Sequence, residues 1–197
     1  MVVFSYQRNY LIKNLKESAL TFFYIDEGVD NGDILDQKKF NISEKYRFNT
    51  YESLLNCDEV DAVYISTLNN THSELIIKSA KAGKNILCEK PMAMNASEGR
   101  DMVKACYENQ VKLMLCYYQR FNRRHQKIKE LLETGELGQV TAVRITNCTY
   151  KPEGTDEWRQ QPDISGGGNL MDVGSHCVDL LRYLFGEINS VSSLVDT

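Results

Sequence analysis

Hydrophobic residues change their spacing several times along this chain, and from residue 60 onward the changes are regular. Short apolar runs rich in β-branched and aromatic residues predict strands at Val60–Ile65, Asn85–Cys88 and Val111–Tyr117. Between these runs, apolar positions at helical spacing predict helices over Ser73–Ala82 and Ala96–Asn109. Each strand follows the previous one after about 26 residues, as in consecutive βαβ crossovers. The pattern therefore predicts a parallel α/β sheet with right-handed connections.

Each of the two predicted helices has one apolar face that we expect to pack on the sheet. The residues expected on these faces are Leu75, Ile76, Ser79 and Ala80 in the first helix, and Met102, Val103 and Cys106 in the second.

Beyond residue 120 the pattern becomes that of an α+β segment. A charged helix is predicted over Arg123–Thr134, with Ile128, Leu131 and Leu132 buried. Apolar and polar residues then alternate over Gln139–Tyr150, which predicts a long strand. Residues Ile188–Val195 predict the beginning of another strand.

A run of three glycines, Gly166 to Gly168, leads into a segment with helical periodicity. Its apolar stripe consists of Leu170, Val173, Cys177, Leu181 and Leu184. Asp172 and His176 are four residues apart, so on a helix their side chains can meet. A histidine beside a carboxylate is suited to proton transfer. The alternative is a capped amphipathic helix with two polar surface residues.

The first 45 residues do not follow the βαβ spacing. Ala19–Ile25 is typical of a strand, and the acidic, turn-rich stretch 26–33 follows it. A G-x-G-x-x-G turn, which would hold a pyrophosphate in a nucleotide-binding sheet, does not occur before the strand at Val60–Ile65. The sequence therefore predicts a sheet that lacks its first βαβ unit.

Composition narrows the class of protein. The chain has 197 residues, 42% hydrophobic and 25% charged, which is typical of a globular protein. Its net charge of −4 argues against nucleic-acid binding. No apolar run approaches the about 20 residues that span a bilayer, and the N-terminus does not resemble a signal peptide, so we expect a cytoplasmic protein without membrane contact. The six cysteines and three histidines are scattered, which predicts reduced thiols and no metal site.

Four sequence blocks from about residue 46 onward resemble the Gfo/Idh/MocA family of NAD(P)-dependent sugar and inositol oxidoreductases. The blocks are Tyr51–Leu55 with Asp61–His72; Glu89–Ala93; Tyr118–Asn122 with Gly135–Gly138; and Trp158–Arg159 with the glycine run, Asp172, Gly174, His176, Asp179 and Gly186. The resemblance covers about 150 residues and is incomplete at both ends. It implies a partial Rossmann-type sheet followed by the beginning of an α+β catalytic domain.

The resemblance implies NAD or NADP as cofactor and a sugar, nucleotide-sugar or polyol as substrate. The implied cofactor-binding residues are Ser66, Thr67, Asn69, Asn70, His72, Glu89 and Lys90. A polar turn that caps a helix is the alternative interpretation of residues 66–72. Pro91 disfavours a helical backbone at Lys90, which should therefore be extended.

The implied reaction is hydride transfer from a hydroxyl-bearing carbon to the cofactor. His176 is then the base, Asp172 orients it, and Lys90 polarises the substrate oxygen. The implied substrate-binding residues are Arg120, Asn122, Trp158 and Arg159. Trp158 either stacks on a sugar ring or anchors a loop to the core.

Residues 16–35 bear a second resemblance, to the formyltransferase fold of methionyl-tRNA and sugar formyltransferases. Asp30 matches a catalytic aspartate there, but no histidine precedes His72 to act with it. Two partial resemblances predict three parts: a formyltransferase-like remnant over 1–45, a partial dinucleotide-binding domain over 46–118 and a partial catalytic domain over 119–197.

Because the pyrophosphate site is missing from the sequence, we expect a fragment or chimera with weak or no activity. The alternatives are a formyltransferase-related protein and a non-catalytic interaction protein. Exposed sheet edges would favour a homo-oligomer.

Overall fold

The computed structural model describes the backbone of residues 2–4 and 20–22, and residues 48–147 and 158–193 in full. Five strands in these ranges form one parallel sheet in the order β2-β1-β3-β4-β5. The strands are β1 (Val2–Phe4), β2 (Leu20–Phe22), β3 (Ala62–Ile65), β4 (Asn85–Cys88) and β5 (Leu113–Leu115). The strand order reverses between β1 and β3, and open α/β sheets bind ligands at such a point, beyond the carboxyl ends of the strands.

The sheet has two more strands than the three predicted from residue 60 onward. The strand indicated at Ala19–Ile25 is present as β2, and β1 lies between β2 and β3. Two strands therefore lie where the sequence predicts a missing βαβ unit. The sequence predicted no strand at residues 2–4, where β1 lies. The acidic stretch 26–33 and Asp30 lie outside the described residues.

Six helices occur in the described ranges. They are α1 (Tyr51–Leu55), α2 (His72–Lys81), α3 (Ala96–Glu108), α4 (Arg123–Glu133), α5 (Pro162–Ser165) and α6 (Ser175–Phe185). Local chemistry sets their ends: the Asn95 side chain accepts a hydrogen bond from Glu98 N at 3.0 Å and so caps α3. Gly83, with φ of 71°, follows α2 in the left-handed conformation that glycine adopts at low cost.

The core lies between the sheet and helices α1 to α3. Its buried residues include Leu54, Val63, Ile65, Ile76, Ile86, Cys88 and Met102. The predicted inward face of α2 is confirmed, because all four of its residues are buried. On α3, Met102 and Cys106 are buried as predicted, but the prediction for Val103 is wrong: it is 55% exposed, and Ala105 is buried instead. Positions 102, 105 and 106 lie at i, i+3 and i+4, so they share one face.

The C-terminal half departs further from the predicted pattern. Ile128 of α4 is 38% exposed, and Leu131 and Leu132 are only partly buried. Described residues 139–147 and 188–193 form no strand, so both strand predictions are wrong for the described positions. A strand requires a hydrogen-bonded neighbour, which alternation in the sequence cannot supply. None of the described helices is long and apolar enough to cross a membrane.

Candidate active site

Polar segments follow the carboxyl ends of three adjacent strands. β3 leads into residues 66–72, β4 into Glu89–Pro91, and β5 into a 3₁₀ turn at Tyr118–Phe121. Because the strands are parallel and neighbours in the sheet, these segments lie along one edge. Most of the residues that the resemblance assigns to cofactor and catalysis therefore lie on this edge or face it.

Hydrogen bonds within the loop after β3, and one to α5, stabilise this loop. The hydroxyls of Thr67 and Thr71 are 2.6 Å apart, and Thr71 Oγ1 donates to the Leu68 carbonyl at 2.8 Å. Asn69 is buried, and its Nδ2 donates to the Ser165 carbonyl at 2.8 Å. Asn69 thus connects the sheet edge to the segment before the glycine run, whereas Asn70 is exposed.

His72 has no exposed surface. Its Nδ1 lies 2.9 Å from the Pro91 carbonyl oxygen and its Nε2 lies 3.3 Å from that of Thr67. Burial lowers the pKa of His72, and the two carbonyls oppose this in part. We therefore interpret this imidazole as a group that ties the loop after β3 to the loop after β4.

Lys90 reaches from the end of β4 to the segment after the glycines. Its Nζ donates to Asp172 Oδ1 at 2.5 Å and to the Asp172 carbonyl at 2.7 Å. Only 16% of the lysine side chain is exposed, against 30% for Asp172. The ammonium is therefore held by two oxygens in a partly dry environment, where charge interactions are stronger than in water.

The glycine run allows the turn that presents Asp172. Gly166, Gly167 and Gly168 have φ of 82°, 146° and 56°, in the left-handed region that other residues rarely adopt. Ser165 Oγ accepts hydrogen bonds from Gly167 N at 3.4 Å and Gly168 N at 3.1 Å. A π-helical turn, Leu170–Gly174, follows and runs into α6.

The π-helical turn changes the predicted relation between Asp172 and His176. Asp172 Oδ1 contacts Lys90, and its Oδ2 lies 3.4 Å from Arg159 Nε. His176 Nδ1 is buried and forms no hydrogen bond with any described residue. The i to i+4 spacing of a regular helix does not apply where hydrogen bonds run from i to i+5. Leu170 leaves the predicted apolar stripe for the same reason and is 71% exposed.

The surroundings of His176 favour its neutral form. Burial lowers the pKa of His176 most, the charge of Lys90 lowers it further, and Asp172 opposes both. The rings of Tyr117 and Tyr118 lie edge-on to the imidazole, with centroids at 5.8 and 5.1 Å. A neutral imidazole near a lysine ammonium can accept a proton from a hydroxyl group.

The predicted substrate residues have protein partners. Arg120 forms a bidentate pair with the buried Asp179, with Nε–Oδ2 at 2.9 Å and Nη2–Oδ1 at 2.5 Å. Asn122 Oδ1 accepts from Arg124 N at 3.0 Å and caps α4. The Arg159 guanidinium lies 4.4 Å from the centre of the Trp158 ring. Arg120 and Asn122 thus have structural roles here, while Arg159 also contacts Asp172.

Sequence reasoning assigned no site role to Tyr64, Tyr117 or Asp179, although Tyr64 and Asp179 belong to the sequence blocks that resemble the family. Tyr64 donates a hydrogen bond to Glu89 Oε1. Asp179 is three residues beyond His176, so helical spacing could have placed it near the same face. In the described part of the chain, no group of three or more His, Cys, Asp or Glu residues could hold a metal ion.

Comparison with known proteins identifies the family. Residues 12–117 match the family model described as "Oxidoreductase family, NAD-binding Rossmann fold", and residues 125–197 match that of the GFO/IDH/MocA C-terminal domain. The chain belongs to the Gfo/Idh/MocA family. The α/β fold and the NAD-binding type of its sheet, as implied by the sequence resemblance, are thereby confirmed.

Related proteins act on sugars and polyols. The chain is 35% identical over 136 residues to 1,5-anhydro-D-fructose reductase of Ensifer adhaerens, covering 69% of this chain and 41% of the relative. It is 33% identical over 151 residues to myo-inositol 2-dehydrogenase of Thermotoga maritima, covering 77% and 43%. Levoglucosan dehydrogenase in complex with NADH and levoglucosan superposes with a TM-score of 0.66 at 29% identity, covering 76% and 41%.

The chain spans about two fifths of the length of these relatives. The oxidoreductase family model includes all of residues 16–35, the stretch that resembles formyltransferases, and these comparisons do not show a formyltransferase relationship. The three-part domain division, the homo-oligomer and the lack of nucleic-acid binding stay predictions.

Proposed function

We propose that this chain carries the catalytic edge of an NAD(P)-dependent oxidoreductase that acts on a hydroxyl group of a sugar or polyol. The observation that carries the proposal is the convergence of Lys90, Asp172 and His176 beyond the carboxyl end of β4. These residues come from two separate segments, and the Lys90–Asp172 contact spans 82 positions in the sequence. A charged pair beside an imidazole in its neutral form is suited to removing a proton from an alcohol.

Each of the three side chains has a role that follows from its charge and protonation state. His176 accepts the hydroxyl proton, since burial and Lys90 favour its neutral form. Lys90 donates a hydrogen bond to the substrate oxygen and stabilises negative charge there. Asp172 holds Lys90 at the edge and, by its own charge, limits the fall in the pKa of His176. A bound nicotinamide dinucleotide supplies the hydride acceptor.

The described residues fit the nicotinamide half of such a cofactor. Ser66, Thr67 and Asn70 lie at the end of β3, beside Lys90 at the end of β4, and the orphaned Nδ1 of His176 is one polar atom that a ligand near this edge could satisfy. The pyrophosphate half fits less well. Residues 5–19, between β1 and β2, contain no glycine that would let the backbone approach phosphates. We therefore propose that this chain binds the dinucleotide weakly.

An NMR titration tests the nicotinamide site and the weak binding of the pyrophosphate separately. NADH should shift the amide signals of Ser66, Thr67, Asn70 and Lys90, and reduced nicotinamide mononucleotide should shift the same signals. Because residues 5–19 contain no glycine that could form a phosphate cradle, we expect the two dissociation constants to agree within about tenfold, or about 1.4 kcal/mol. Shifts confined to other parts of the chain would refute the proposed site. A micromolar dissociation constant for NADH, with far weaker mononucleotide binding, would refute the proposed loss of the phosphate site.

Substitutions at the same edge test the chemistry. Oxidation of polyols by NAD⁺, however slow, should disappear in His176→Asn and in Lys90→Met. Glu74→Gln serves as the control, because Glu74 is an exposed residue that contacts Lys78 on the outer surface of α2. Equal polyol-dependent rates in all of these proteins would contradict the assigned roles.

A further inference from the structure

Polar side chains at or just after the carboxyl ends of three adjacent strands interact with one another next to Lys90. Tyr64 belongs to β3, Glu89 follows β4 and Cys116 follows β5. The Tyr64 hydroxyl donates to Glu89 Oε1, and Glu89 Oε2 accepts from the Lys90 backbone N at 3.3 Å. The two oxygens of one carboxylate thus connect a side chain of the neighbouring strand to the main chain of the lysine.

The cluster is partly dry, and its hydroxyl and thiol keep their protons. Burial, followed by the neighbouring Glu89, raises the pKa of Tyr64 well above its usual range. Burial and then Glu89 also raise the pKa of Cys116 to about 12. The Tyr64 hydroxyl therefore keeps its proton and is the donor in its hydrogen bond to Glu89 Oε1. A hydrogen bond to a charged acceptor in such surroundings is stronger than a neutral one.

We propose that Tyr64 is a positioning residue for Lys90, because its hydroxyl fixes the Glu89 carboxylate that in turn fixes the Lys90 main chain. This inference rests on the proposed function, in which Lys90 is the lysine that contacts substrate. The contacts from which we infer the role of Tyr64 do not depend on that function, because they concern only the orientation of the Lys90 side chain.

The Tyr64 hydroxyl also prevents the Glu89 carboxylate from competing with Asp172 for the Lys90 ammonium. Glu89 is the residue next to Lys90, so a freely rotating Glu89 carboxylate can attract the ammonium away from Asp172. With the hydroxyl in place, Glu89 Oε1 is occupied by Tyr64 and Oε2 by the Lys90 N–H. The Lys90 side chain then extends to the two oxygens of Asp172.

Amine labelling measures this arrangement without requiring enzymatic turnover. Pulsed acetylation with acetic anhydride at fixed pH, read by mass spectrometry, gives a rate for each lysine. In Tyr64→Phe the acetylation of Lys90 should accelerate about fivefold, the change expected from one net hydrogen bond. Lys84, whose Nζ donates to the Cys57 carbonyl at 2.9 Å, is the internal reference and should keep its rate.

Tyr51→Phe is the matched control. The Tyr51 hydroxyl is also partly buried and hydrogen-bonded, to Ser79 and to the Leu75 carbonyl, but it lies between α1 and α2. Its loss should leave the rate of Lys90 unchanged. Equal acceleration of Lys90 in the two variants, or acceleration of Lys84 together with Lys90 in Tyr64→Phe, would show general loosening and overturn the proposal.

A double-mutant cycle tests the route through Glu89. If Tyr64 acts through Glu89, then Tyr64→Phe should add less than twofold to the Lys90 rate in a Glu89→Gln background. Independent, multiplicative effects of the two substitutions would overturn the proposal. Failure of NADH to bind would contradict the proposed function and leave these labelling rates untouched, so the two failures are distinguishable.

Discussion

The ion pair between Arg120 and Asp179 should stabilise the chain much more than a chemically similar pair on the surface. Both Arg120–Asp179 and Arg182–Glu187 are bidentate, and each has a contact of 2.5 Å between Nη2 and a carboxylate oxygen. They differ in burial. The Asp179 side chain is 8% exposed and that of Arg120 is 41% exposed, whereas the values are 77% for Glu187 and 48% for Arg182.

The magnitude follows from this difference. Removing one partner of a fully buried pair costs about 3–5 kcal/mol, and exposed pairs contribute about 0.2–1 kcal/mol. Because only the carboxylate is buried, we expect a coupling energy of about 2 kcal/mol for Arg120–Asp179 and below about 1 kcal/mol for Arg182–Glu187. Arg120→Gln should also cost more than Asp179→Asn, since it leaves the buried charge without its partner.

Urea unfolding of two double-mutant cycles provides the measurement. One cycle combines Arg120→Gln with Asp179→Asn, and the other combines Arg182→Gln with Glu187→Gln. Equal coupling energies in the two cycles would refute the reasoning, because burial would then have no influence. A larger loss from Asp179→Asn than from Arg120→Gln would show that the carboxylate is not the desolvated partner.

Three further predictions concern the protonation of histidines and the glycine run. Lys90→Met should raise the pKa of His176, as followed by NMR of its ring protons, without restoring the usual value, since burial is the larger cause; an unchanged pKa would contradict the proximity of the two groups. Because the pKa of His72 is lowered in the folded state, the stability that His72 contributes should be complete above about pH 6.5 and decline as the pH falls below it, by at most about 1.4 kcal/mol at pH 5.5. Urea unfolding of the wild type and of His72→Asn at pH 7.5 and 5.5 checks this, and an identical pH dependence in both proteins would argue against it. Thermal unfolding should show that Gly167→Ala destabilises the fold by about 1–3 kcal/mol, because φ is 146° and a Cβ would lie 3.0 Å from Met171 Cγ. In the same assay Gly99→Ala, inside α3 with its nearest contact at 3.7 Å, should instead stabilise the fold by up to about 1 kcal/mol.

The sequence predicted those elements whose pattern is local and sustained. Helix α2 was expected over Ser73–Ala82 and is found at His72–Lys81, and strand β4 agrees at both ends. Both have one buried face that repeats over several residues. The strand expected at Gln139–Tyr150 has an equally regular alternation, but it depends on a pairing partner that no local pattern specifies. The described residues 139–147 form no strand, and Val143 is 47% exposed.

At the candidate site, residue identity was easier to predict than contacts. The sequence blocks pointed to Lys90, Asp172 and His176, and the fold brings them to one edge. The expected partner of Asp172 was His176, but Lys90 and Arg159 contact its carboxylate instead. Hydrophobic periodicity gave no sign of the π-helical turn at Leu170–Gly174. The resemblance implied that Arg120 binds substrate; the structure shows its guanidinium paired with the buried Asp179.

Three polar contacts join the sheet edge to the C-terminal segment, and their spacing explains why the glycine run is needed. Asn69, Lys90 and Arg120 follow β3, β4 and β5, and they contact Ser165, Asp172 and Asp179, which are seven residues apart in turn. In one straight helix those three positions would span about 21 Å, whereas the ends of three adjacent strands span only about 10 Å. One straight helix through Ser165, Asp172 and Asp179 therefore does not match the spacing of the strand ends. The three left-handed glycines interrupt the helix between Ser165 and Asp172, and the long side chains of Lys90 and Arg120 cover the remaining distance. An L-residue such as alanine within the run should consequently weaken the Lys90–Asp172 contact before it unfolds the sheet, since the sheet core lies beneath α1 to α3 and does not include the glycines.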